Sequence, residues 1–91
     1  MKTFYRFEET TNMEHLQEKV SSYGAVLKYG KQVLVTDMGW KGFVAAVYEF
    51  IETPEECGFS DIECRLNLVG VADELFEDGG HAMVWCLGKV R

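Results

Sequence analysis

Two β-rich runs around a single glycine constrain this chain more than any other feature. Residues 25–29 (Ala-Val-Leu-Lys-Tyr) and 32–36 (Gln-Val-Leu-Val-Thr) flank Gly30-Lys31. Glycine first in a two-residue loop suits a type II′ hairpin, because that position takes positive φ. The resulting register sets Leu27 against Leu34 on one face and Val26 against Val35 on the other. Both faces are therefore apolar, and neither can be left to water. The hairpin either lies inside the fold or has one side covered by a second copy, so a homodimer is one expectation.

The segments around the hairpin supply what could cover it. Thr11 and Glu14 have the spacing of a capping box, and Met13, Leu16, Val20 and Tyr23 recur at helical intervals. Gly24 can close such a helix in the left-handed conformation. The pattern predicts a helix over 12–22. Residues 3–7, rich in aromatics, suggest a first strand. Residues 43–51 fit either a helical stripe or a strand. Their Val, Tyr, Phe and Ile content, with Gly39 and Gly42 before them and no cap, favours the strand. From Ile62 the alternation is plain: Ile62, Cys64, Leu66 and Leu68 face one way, and Asp61, Glu63, Arg65 and Asn67 the other. Asp78-Gly79-Gly80 marks a turn, and 82–90, carrying Trp85, suggests a last strand. The expected architecture is α+β: one domain over 1–91, an antiparallel sheet of five or six strands, and one N-terminal helix packed on it. Ninety-one residues suffice for one such domain and no more.

Charge is distributed unevenly along this frame. Between residues 49 and 78 lie Glu49, Glu52, Glu55, Glu56, Asp61, Glu63, Asp73, Glu74, Glu77 and Asp78, with Arg65 the single base, a net of −9. The remainder holds five acids and eight bases, which recovers the overall −6. A solvated acidic face is the plain reading. The sharper one is a surface complementary to a basic protein, with spaced carboxylates standing in for a phosphate backbone. Direct nucleic-acid binding is disfavoured, because the bases are scattered rather than clustered. Trp40, between Gly39 and Lys41-Gly42, is a candidate anchor residue at such an interface.

The residue types needed for catalysis do not assemble into a motif. Cys57 follows two glutamates, which disfavour its thiolate, and Cys64 and Cys86 sit in apolar patterns where small buried residues are ordinary. His15 and His81 stand alone, and no spacing among cysteines and histidines matches a metal site. Phosphate-binding glycine patterns are missing. The sequence predicts no catalytic residues, no cofactor and no metal.

Three cysteines and no apolar leader or membrane-length run suggest reduced thiols in the cytoplasm and no membrane association. The leading expectation is a small acidic protein-binding module. It would act as an inhibitor or immunity-type antagonist of a basic, possibly nucleic-acid-binding protein, as phage or mobile-element counter-defence proteins do. The alternatives are a small-molecule-binding or catalytic domain whose site forms only in the fold, and a structural homodimer subunit.

Overall fold

A computed structural model describes residues 12–39, 41–52 and 64–90. In order these form α1 (Met13–Lys19), β1 (Ala25–Tyr29), β2 (Gln32–Met38), β3 (Phe43–Phe50), β4 (Leu66–Val71) and α2 (Gly79–Val90). The strands make one antiparallel sheet in the order β1-β2-β3-β4, each beside its neighbour in sequence.

The hairpin has the expected register, Val26 opposite Val35 and Leu27 opposite Leu34. Gly30 has φ +61°, and Lys31 stays out of the positive region, as a type II′ turn requires. Its two-sided apolarity is explained by a helix on each face of the sheet. Met13 and Leu16 of α1 pack on Val33, Val35, Val44, Ala46, Tyr48 and Phe50. On the opposite face Ala82 and Cys86 of α2 pack on Leu34, Ala45 and Val47. The central strands β2 and β3 are thus buried on both sides, while β1 lies at the sheet edge with Leu27 and Tyr29 exposed.

Two expectations are corrected. Among the described residues the sheet has four strands rather than five or six, and the expected last strand is the helix α2. The Asp78-Gly79-Gly80 signal is a helix start: Asp78 Oδ1 accepts from the His81 amide at 2.8 Å. Ala82 and Cys86, four residues apart, then supply the small inward face that lets α2 sit close to the sheet, where the Cys86 thiol reaches the Val35 and Ala46 carbonyls. The predicted strand at 3–7 lies outside the described residues.

The N-terminal helix is present but shorter than 12–22. Its cap is Asn12, whose Oδ1 accepts from the His15 amide at 2.7 Å; Thr11 lies outside the described residues. The chain leaves the helix at Val20, which is extended. Ser21 is captured there by buried Asp37 on β2, to which it donates from both backbone and hydroxyl. Tyr23 is consequently exposed instead of completing the helical stripe. Gly24 does not close the helix, since its φ is not positive. It permits a close approach: a Cβ there would stand 2.5 Å from the Thr36 carbonyl oxygen. With only seven residues in α1, Asn12→Ala should cost about 0.5–2 kcal/mol, read by urea denaturation.

Candidate functional site

The structure divides the acidic residues. Phe50 pairs with Leu66 at one end of the β3–β4 ladder, and Phe43 bridges Phe76 at the other. Glu49 and Glu52 belong to the first end. Glu49 is half-buried, and Glu52 pairs with Arg65 at 3.2 Å. Asp73, Glu74, Glu77 and Asp78 belong to the second end, all exposed, in the connection between β4 and α2. From Glu49 to Phe43, which bridges Phe76 of the second group, β3 runs six residue steps, roughly 20 Å. Glu55, Glu56, Asp61 and Glu63, and the candidate anchor Trp40, lie outside the described residues.

The 73–78 connection is held at defined points. At its start the Ala72 amide donates to the Ala45 carbonyl at 2.9 Å. In its middle Phe43 and Phe76 exchange two backbone hydrogen bonds of 2.8 and 2.9 Å. At its end Asp78 caps α2. Gly42 is required beneath it, because a Cβ would come within 2.9 Å of the Phe76 carbonyl oxygen. Four carboxylates thereby stand on a fixed frame, with Lys41 brought alongside by the antiparallel register of Phe43 and Phe76.

Asp78 has a further partner, since its Oδ1 lies 2.9 Å from His81 Nδ1. The hydrogen bond from the His81 amide, and then that from the ring, hold its carboxyl below the usual value of 3.8. A folded-state pKa lowered in this way contributes stability that is present above the unfolded pKa and lost as pH falls through the folded one. An NMR titration of the Asp78 carboxyl should therefore show a midpoint below that of an unstructured aspartate. His81→Ala should raise it only in part, because the backbone bond remains.

The cysteines that are described lie inside the core: Cys64 and Cys86 are both fully buried, and Cys86 is a free thiol. Burial pushes the Cys86 thiol up to about 11, leaving it protonated and unreactive at neutral pH. Among the described residues no group of three His, Cys, Asp or Glu side chains converges as metal ligands, and no helix is long and apolar enough to cross a membrane.

Sequence reasoning missed two features. One is Asp37, fully buried and accepting from Ser21 and from the Met38 amide; an acid inside an apolar strand was the available signal. The other is a groove beside α2, lined by Val47, Val69, Gly70, Val71, Trp85 and Lys89. The Trp85 and Lys89 spacing of four carries meaning only once that segment is helical.

The fold is thus a small antiparallel sheet between two helices, with an acidic connection at one end and a groove beside Trp85 along one flank. Residues 7–90 match the family model described as nucleotide modification associated domain 4, and the chain belongs to that family. No curated protein and no solved structure matches it.

Proposed function

We propose that this chain is a non-catalytic binding component of a nucleotide-modification system, engaging a basic, nucleic-acid-binding protein through its 73–78 connection. The observation that carries this reading is the frame beneath Asp73, Glu74, Glu77 and Asp78, which gathers four exposed carboxylates at one end of the sheet. Like charges held together repel and oppose folding, so a fold that keeps them together gains most when a cationic surface neutralises them. The family description supplies the setting, nucleotide modification.

Docked on the partner's phosphate-binding surface, these carboxylates exclude nucleic acid, so the chain acts as an antagonist. The buried free thiol of Cys86 suits a reducing compartment, and we place the protein in the cytoplasm.

The test is capture of the partner from host lysate on the immobilised chain at low salt, followed by zero-length carboxyl-to-amine crosslinking. Links should run from Asp73, Glu74 or Glu77 to lysines of the partner, and duplex DNA should displace the complex. Links confined to the Glu49–Glu52 end, or a complex indifferent to DNA, contradict the reading.

A further inference from the structure

The groove along α2 is built from features that each leave room or supply a contact. Opposite Val47 the edge strand carries Gly70, and the β3–β4 register shifts there, so that Val69 bulges out and is 52% exposed. A Cβ on Gly70 would meet nothing within 4 Å, so the glycine leaves open space over the strand. Half-buried Trp85 forms the wall on the helix side. Lys89, one turn further along, holds its ammonium 5.3 Å from the centre of the Trp85 ring. The cavity is about 220 Å³, below the ~300–1,000 Å³ of sites that enclose drug-sized ligands. It admits one ring system, with the rest of a ligand lying across the rim.

From the open floor at Gly70, the Trp85 wall and the Lys89 cation, we infer that this groove binds a single nucleotide, its base against Trp85 and its phosphate at Lys89. An apolar floor and an indole select a flat ring, and a flexible ammonium selects an anion attached to it. Lys89 contributes at the surface only a weak contact to the ring, so an arriving phosphate can draw it away. Glu49, which follows Val47 on the same face of β3, and the net charge of −6 both disfavour a polyanion, so the occupant is a mononucleotide rather than a nucleic-acid strand. The family's link to nucleotide modification names the same ligand class. The site is separate from the acidic connection, since Lys89 stands eleven residues along α2 from Asp78, about 16 Å.

The experiment is a ¹⁵N-edited NMR titration of the full chain with thymidine and deoxycytidine 5′-monophosphates. Deoxyribose 5-phosphate, inorganic phosphate and a single-stranded oligodeoxynucleotide serve as comparisons. Saturable shifts should centre on residues 69–71 and the Trp85 indole, with a Kd at or below about 1 mM. Removing the base should weaken binding by about tenfold or more. Lys89→Gln should weaken it about tenfold. Gly70→Val fills the groove without backbone strain, because Gly70 has no positive φ and open space above it; it should fold with an unchanged spectrum elsewhere and abolish the shifts. Absence of saturable shifts with both nucleotides, or binding that survives Gly70→Val, overturns the proposal. Tighter binding of the oligodeoxynucleotide at the same residues overturns the choice of a free nucleotide. None of these outcomes bears on crosslinking at the acidic connection, so the two readings fail independently.

Discussion

Asp37→Ala should remove about 3 kcal/mol of stability, an effect as large as that of losing a core side chain. Asp37 has no exposure, and its carboxylate accepts from the Ser21 amide, the Ser21 hydroxyl and the Met38 amide. Alanine leaves these donors without their acceptor at the point where the chain turns from α1 toward β1. A domain of this length has about 5–14 kcal/mol in total, so the variant should unfold at distinctly lower urea. Asp37→Asn, which keeps the shape and one acceptor oxygen, should fall between the two. If alanine and wild type share a midpoint, the Ser21–Asp37 connection does not hold α1 to the sheet.

Phe50→Ala should be still more damaging, about 3–5 kcal/mol. Phe50 is 2% exposed at the end of β3, in the cluster that joins Met13 and Leu16 of α1 to Val33, Tyr48 and Leu66. Its loss opens a cavity at the helix–sheet contact that a rigid strand backbone cannot close. Calorimetry should show a large fall in Tm with the native fold retained at low temperature. A loss below about 1 kcal/mol would mean that α1 is not seated on this face.

These two residues also show how far the sequence could be read. The strand that carries Phe50 was legible, because strand propensity and punctuating glycines marked β3, and the two-residue loop set the β1–β2 register. The helix α2 was not. Val84, Trp85 and Cys86 favour strands as isolated residues, and what makes them helical is the Asp78 cap together with the small inward pair Ala82 and Cys86 meeting Ala45 and Leu34. That complementarity exists only between segments distant in sequence. Asp37 was hidden for a similar reason: its partner Ser21 is sixteen residues away. The acidic run was visible as composition, but the division of its described members between two ends of the β3–β4 ladder follows from the strand register. Glu52 is engaged with Arg65 and Asp78 with the helix start, so that among the described acids of the run Asp73, Glu74 and Glu77 are the exposed carboxylates best placed for a partner.

The most direct measurement of the central claim is the association rate of the captured partner with wild type and with the Glu74→Lys/Glu77→Lys variant, over a range of salt. Both residues are exposed and neither caps the helix, so the variant should keep its urea midpoint. Wild-type association should be fast at low salt and slow steeply as the screening length falls toward about 8 Å. The double reversal should slow association by about tenfold or more at low salt and flatten the salt dependence. An unchanged on-rate in a normally folded variant would contradict the account and leave the acidic connection as solvated surface.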